Sequence, residues 1–468
     1  MHVIFRESHG LEEADTPMDL GQTPADLVVL SFSDSDLGAF AAGWHHGKDN
    51  LPTLRLANLV ALKHPLSVDT YIEQTLSGAK GILIRLIGGM SYWSYGLQQV
   101  RALAEQKAIA LAVLPADGRA DAQLDAMSTL PVSTLRRLSQ LCEAGGEQAA
   151  KAALAQLAIA AGLYAKTDLG KKALPRVGGW TNDYSITCPA TASLKLVKKP
   201  LVVLSFYLSY LSAADLDPLQ ELSQELAAQG FNVIGLFAPS LKEPQSAGWI
   251  ARQIRYLKPA AIVNATAFSG IGANGVSPLD AGNVPVFQMA LATSTRKSWQ
   301  EAERGLSPAD LAMHVVLPEV DGRIFGGVAS FKQPSKRDPD LEYSRFAHQA
   351  EPDRIRALAD RIASHIRLQT LPRAKFRPVL ILSTYPGKDW QMAHAVGLDA
   401  LASSQAILED FVSDGCDITM PDDLVAGLQS HSLSWSIEDY NKALAKLPDS
   451  LRETLSNVWG DPNDDPLV

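Results

Sequence analysis

The carboxylates best placed to do chemistry lie in one stretch, His314 to Phe331, HVVLPEVDGRIFGGVASF. A short apolar run, Val315, Val316 and Leu317, is stopped by Pro318, and Glu319 follows at once, then Asp321, Gly322 and Arg323. The run has the length and content of a buried strand over 314–318 that delivers an acid to a glycine-lined loop. In open α/β sheets ligands bind outside the carboxyl ends of strands, so an acid there is placed for chemistry. Pro-Glu-Val-Asp-Gly is equally good turn chemistry, and the residues alone leave both possibilities open.

Other stretches carry ligand-binding chemistry. Ile87 to Gly96, IGGMSYWSYG, sets Gly88 and Gly89 at a strand end, where backbone can approach a ligand closely, beside Ser91 and the rings of Tyr92, Trp93 and Tyr95. Flat faces with polar tips suit a large planar or macrocyclic ligand, and suit equally an aromatic cluster packing a loop onto a sheet. Asp389, next to Trp390 and Gln391, repeats the pattern more weakly. The glycine-rich stretch 268–282 follows a strand ending at Asn264, and is expected to meet the Glu319 loop, with Asn264 and Arg323 facing substrate. His45 and His46 are adjacent and cannot converge on one ion from regular structure. His314 and His394 remain candidate ligands or proton acceptors, with packed histidines the plainer alternative.

Several classes of chemistry are excluded. No GxxxxGK[ST] occurs, since the Gly-Lys pairs at 47, 170 and 387 lack the first glycine and the hydroxyl partner, so any ATP is hydrolysed on another chain. GIGANG at 270–275 precedes no helix and fails the dinucleotide context. GxSxG and HExxH are absent. The net charge of -9, without a basic stripe, argues against nucleic acid. Three scattered cysteines suggest neither a disulfide framework nor a metal clip. No apolar run is long enough to span a bilayer, and the charged first residues do not form a secretory signal, so a cytoplasmic protein is expected.

These residues must be positioned by α/β architecture. Asp26 to Phe32 (DLVVLSF), Pro200 to Phe206 (PLVVLSF) and Pro378 to Thr384 (PVLILST) open three similar units, and strand alternates with helix at the pitch of parallel βαβ units. The expected organisation is successive parallel-sheet βαβ domains followed by a mainly helical C-terminal stretch. The first domain covers 1–166, a connection 167–199, and a second domain with the LPEVDG loop 200–376. Residues 377–468 would begin a further domain, probing as mostly helical and cut short after one strand over 378–383.

Three segments carry a resemblance. HPLSVDTYIEQTLSGAKGILIRLIGGMSYWSYGLQQV, LPEVDGRIFGG and LSTYPGKDWQMAHAVGLDALAS resemble, in that order, segments of the large chelatase subunits of the CobN/magnesium chelatase H family, the cobaltochelatase branch above all. The family's subunits are more than twice as long and carry a later histidine motif unmatched here, so the chain looks like an N-terminal portion. The resemblance implies ATP-dependent insertion of Co2+, as substrate, into hydrogenobyrinic acid a,c-diamide in cobalamin biosynthesis. Tetrapyrrole and metal would sit on the large subunit, ATP on AAA+ motor subunits, and this chain alone would be inactive. The family's LPE-x-DG glutamate matches Glu319, which becomes the candidate catalytic and metal-binding residue, with Asp321 or His314 assisting. A non-catalytic tetrapyrrole-binding scaffold and a magnesium-type subunit are the alternatives.

Overall fold

Leu27–Ser31, LVVLS, and Leu201–Tyr207, LVVLSFY, are inner strands of two different sheets and are buried over nearly their whole length. Continuous apolar runs of this kind are what a parallel sheet covered on both faces requires. The computed structural model describes residues 17–464 except 117–119, 167–172, 182, 184, 195, 274, 384–392, 394–396 and 431–433. The chain divides into two compact units, residues 1–366 and 367–468.

The first sheet pairs β1 (Leu27–Ser31), β2 (Leu54–Asn58), β3 (Gly81–Leu86) and β4 (Ala110–Pro115) in the order β2-β1-β3-β4, all parallel. Helices Asp34–Gly47 and Gly146–Ala160 cover one face through Leu37, Phe40, Trp44, Leu154 and Leu157. Gly43 lets these two helices approach closely, because a Cβ there would lie 2.7 Å from the backbone of Glu147 and Lys151. Helices Pro65–Gln74 and Ser94–Lys107 cover the other face through Val68, Tyr71, Leu97 and Val100.

The second sheet has eight strands: β5 (Gly178–Thr181), β6 (Ile186–Thr187), β7 (Leu201–Tyr207), β8 (Asn232–Ala238), β9 (Ala261–Asn264), β10 (Val286–Ala292), β11 (Ile324–Pro334) and β12 (Phe346–Ala350). Their order is β12-β11-β10-β9-β7-β8-β5-β6. The five central strands are parallel and the edges antiparallel. The fold is therefore α/β, as expected, with a mixed second sheet.

Two expected elements differ. Residues 167–199, read as a plain connection, supply β5 and β6 to the edge of the second sheet, with Trp180 fully buried and edge-to-face with Phe206 of β7. Their short length and glycines concealed the strand pattern. Residues 378–383, read as a strand, form none, and Val379 and Ile381 stand 82% and 85% exposed. An apolar run becomes a strand only where another edge pairs with it, and among the described residues none does. The second unit is otherwise helical, with helices Ala400–Ser413, Leu424–Ser430, Ile437–Leu444 and Asp449–Trp459. No helix among the described residues is long and apolar enough to cross a membrane.

Within the first unit, the excursion between β11 and β12 straps the two sheets together. Leu341 is fully buried in the core of the first sheet. Glu342, at φ 49°, pairs with the buried Arg55 of β2 at 2.9 Å and accepts from the Thr23 amide and hydroxyl, each at 2.7 Å. Glu342→Ala leaves Arg55 buried without its counter-ion and is expected to lower unfolding stability by about 3 kcal/mol. Urea unfolding against wild type measures this, and an unchanged midpoint would remove the strap from any stabilising role.

Candidate functional site

Glu319 is carried by a helix, and local chemistry explains why. The Ser307 side chain accepts from the Asp310 amide at 3.1 Å and Pro308 occupies the first turn, a helix start in which the missing proline donor costs nothing. The helix runs through Pro308–Leu311, a π-helical turn Ala312–Val316 and a last α-turn Leu317–Val320. In a regular α-helix the Pro318 ring would collide with the His314 carbonyl. The wider turn just upstream, with Leu317 N–H donating to Ala312 O, is the kind of insertion that relieves such a clash.

The helix ends in a Schellman motif. Arg323 N–H donates to Pro318 O at 3.1 Å and Gly322 N–H to Glu319 O at 2.8 Å, with Gly322 at φ 77°. The strand expected over 314–318 is thus corrected to helix. Glu319 precedes β11 at its amino end and does not follow the carboxyl end of a strand. Ser-Pro-Ala-Asp at 307–310, a capping pattern, was the signal that outweighs three β-prone residues.

Glu319 is exposed, and its carboxylate has no ion-pair or hydrogen-bond partner among the described residues. An acid in the last turn faces the negative end of the helix dipole, an arrangement that costs about 0.3–1 kcal/mol. Stability therefore does not account for its presence. Its surroundings are apolar: Leu311, Val316, Leu317, Val320 and Ile324 all present side chains to solvent, Val320 at 76% exposure.

Asp321 and Arg323 hold the neighbouring loop. Asp321 accepts from the Ser269 hydroxyl at 2.7 Å and the Gly270 amide at 2.6 Å, and Arg323 pairs with Asp280 at 2.6 Å. Phe268 N–H donates to Met313 O at 2.8 Å. The 268–282 stretch is thereby fastened along the Glu319 helix, so these two loops do meet. Asn264 lies buried beneath them, its amide donating to Gln288 Oε1 at 2.8 Å while its oxygen accepts from Thr266.

His314 faces inward. Its Nε2 lies 3.9 Å from Asp310 Oδ1, and its Nδ1 is buried without a hydrogen bond. Asp310, which sequence analysis passed over, is fully buried and accepts from Thr293 N–H at 2.9 Å, Thr293 Oγ1 at 2.8 Å and Ser294 Oγ at 3.1 Å, closing the carboxyl end of β10. Burial holds the His314 imidazole below its usual range, against the attraction of Asp310. His348, facing the Ser330 hydroxyl at 3.2 Å, is pushed down to about 3 by burial and by Lys332 and His314 nearby.

The aromatic turn belongs to the first sheet, at the carboxyl end of β3. Gly88 and Gly89 both adopt φ 81°, and the Tyr92 ring lies so close over Gly88 that a Cβ there would meet it at 2.2 Å. Trp93 is a core residue, with Nε1 donating to Leu62 O at 2.7 Å. Tyr95 donates to Asp69 at 2.8 Å, and Ser91 and Tyr92 are exposed. Hydrogen bonds among the described residues join the 268–282 and 318–327 loops but not this turn to either. Asp389 and His394 lie outside the described residues. Among the described residues no three His, Cys, Asp or Glu side chains are grouped to hold a metal ion.

A chain with this two-sheet fold and this LPEVDG turn belongs to the CobN/Magnesium Chelatase family, whose model matches residues 135–468. Within it, the chain is 31% identical to the aerobic cobaltochelatase subunit CobN of Sinorhizobium sp. and 32% identical to that of Pseudomonas aeruginosa. Each match covers all of this chain and 39% of the relative, so the chain spans about two-fifths of the length of these proteins. The chloroplastic magnesium-chelatase subunit ChlH of Oryza sativa is 24% identical over 52% of the chain and 18% of its own length. The catalytic subunit of cobaltochelatase from Mycobacterium tuberculosis shares the fold, with a TM-score of 0.72 at 24% identity over 94% of this chain and 36% of that one.

Asp321→Ala removes two hydrogen bonds to a charged acceptor and is expected to loosen the 268–282 loop locally by about 2 kcal/mol. Amide exchange at Gly270 should accelerate while the global unfolding midpoint moves little, and equal protection in both proteins would rule out the clamp. His348 predicts a pH dependence. Its folded value lies below the ordinary 6.5, so its contribution is present above about pH 6.5 and is lost as pH falls toward about 3. In His348→Gln the fall in stability between pH 6.5 and 4 should be shallower than in wild type, as read by urea titration at each pH.

Proposed function

We propose that this chain is the tetrapyrrole- and metal-handling portion of a cobaltochelatase large subunit. It would serve the insertion of Co2+ into hydrogenobyrinic acid a,c-diamide, driven by ATP hydrolysed on AAA+ partner subunits. Support comes from the names of its relatives, from the fuller likeness to CobN than to ChlH, and from the absence of a P-loop in the sequence. A cytoplasmic setting is consistent with that role.

One observation carries the chemistry: Glu319 is a carboxylate without a partner among the described residues, held on a capped turn within an exposed apolar surface. Metal insertion expels inner N–H protons from the ring and exchanges hydration water for ring nitrogen. A carboxylate can take such a proton, or pass the ion across as an oxygen ligand. An apolar macrocycle laid over the Val316–Val320 surface would bring its centre close to this acid. Asp321 and Arg323 act by fixing the loop beside it, Asn264 by supporting that loop from below, and Tyr92 offers a ring face from the other sheet. The remaining walls of the site come from the part of the large subunit that this chain does not span.

Glu319→Gln in the complete subunit, assayed with Co2+, ATP and the motor subunits, is expected to slow insertion by about 100-fold or more while the tetrapyrrole Kd stays unchanged. Insertion at the wild-type rate would overturn the role of Glu319. Binding without turnover in the wild-type complex would favour the scaffold alternative.

A further inference from the structure

A hollow of about 550 Å3 opens beside the Glu319 helix, between helix Arg296–Glu301, the segment 302–307 and residues 308–316. Leu306, Leu311, Ala312 and Val316 make it largely apolar. Val316 belongs to both places: it lines the hollow and stands one turn before Glu319 on the same helix. Trp299 packs beside the hollow, 5.2 Å from Phe331, with the Arg354 guanidinium stacked on it at 4.4 Å. Gly305, at φ 73°, turns the chain tightly against that indole, where a Cβ would lie 2.9 Å from Nε1.

The rim is polar, and most of it is committed. Ser294 and Ser307 are both engaged with Asp310, and Ser298 bonds Thr295. Arg304 is exposed, lines the hollow, and has no ion-pair partner among the described residues. Glu303 stands next to it.

We propose that this hollow is a subsite for one edge of the tetrapyrrole, in which Arg304 pairs with a side-chain carboxylate and the apolar floor receives the adjoining pyrrole. The inference rests on the tetrapyrrole-binding function proposed above. Charge complementarity supplies the occupant, because an apolar floor beneath an unpaired guanidinium matches a flat apolar ring fringed with acids. Spacing agrees: eight residues separate Leu311 from Glu319, about 12 Å along a helix, a reach of the order of that from a tetrapyrrole's centre to the end of its side chain. The ring nitrogens then overlie Glu319 while the edge occupies the hollow. Glu303 repels a second carboxylate and accepts from an amide N–H, so the rim favours an edge bearing one acid and one amide.

The test measures binding of two probes to the complete subunit, hydrogenobyrinic acid a,c-diamide and the same ring with every side chain amidated, by tryptophan quenching. Arg304→Gln should weaken the acid-bearing ring about tenfold, the loss of one charge-assisted contact, and leave the amidated ring unchanged. Leu311→Arg, which fills the hollow, should weaken both, and Trp299→Phe should remove part of the quenching. Equal affinities for wild type, Arg304→Gln and Leu311→Arg, with quenching unaltered in Trp299→Phe, would overturn the subsite alone. Failure of wild type to bind either ring would overturn the tetrapyrrole reading and the subsite with it.

Discussion

A proline one residue before Glu319 constrains this part of the molecule more than any other single feature. Pro318 cannot donate to His314 and its ring crowds that carbonyl, so the helix widens to a π-turn just before it and survives for only one more turn. Gly322 then takes the left-handed conformation that closes the helix, and β11 starts two residues later. Between Pro318 and the first residue of β11, Ile324, lie five residues, and Glu319 among them is turned outward while Asp321 and Arg323 are drawn onto the neighbouring loop. The positions of the acid, the clamp and the first strand residue therefore follow from one backbone constraint.

The rest of the first unit makes that placement rigid. Asp310, three residues into the helix, gathers the amides and hydroxyls that end β10, so the helix is fastened at its start as well as at its cap. Burial holds the His314 and His348 imidazoles below their usual range, and hydrogen bonds from the end of β10 satisfy the neighbouring Asp310 carboxylate. Across the unit, Leu341 and Glu342 lock the second sheet to the first. Glu319 differs from an ordinary surface glutamate in that its backbone is held by a closed helix cap and its neighbours on the surface are apolar.

Much of the architecture was legible from residues alone. The runs DLVVLSF and PLVVLSF proved to be inner parallel strands because uninterrupted β-branched and leucine stretches of that length can be buried on both faces only in a covered sheet. PVLILST looks the same and is no strand among the described residues, because pairing is a property of two edges and only one was visible. In the candidate site, the meeting of the 268–282 and 318–327 loops was anticipated, whereas Asp321 and Arg323, read as chemistry, are engaged in holding those loops together. Trp93 was read as a possible ligand face and lies in the core, since nothing in the order of Tyr-Trp-Ser-Tyr says which ring turns inward.

By itself the sequence determined the class of fold and the family resemblance, and pointed to one acid worth testing, because each depends on residue type at short spacing. Only the tertiary structure decided that Val315–Leu317 is helix, that Glu319 stands at the amino end of β11, and that the aromatic turn belongs to a different sheet. Those outcomes depend on which distant groups satisfy the backbone: Asp310 reaching across to Thr293 and Ser294, Asp321 to Ser269 and Gly270. Local periodicity carries no information about partners so far away in the chain.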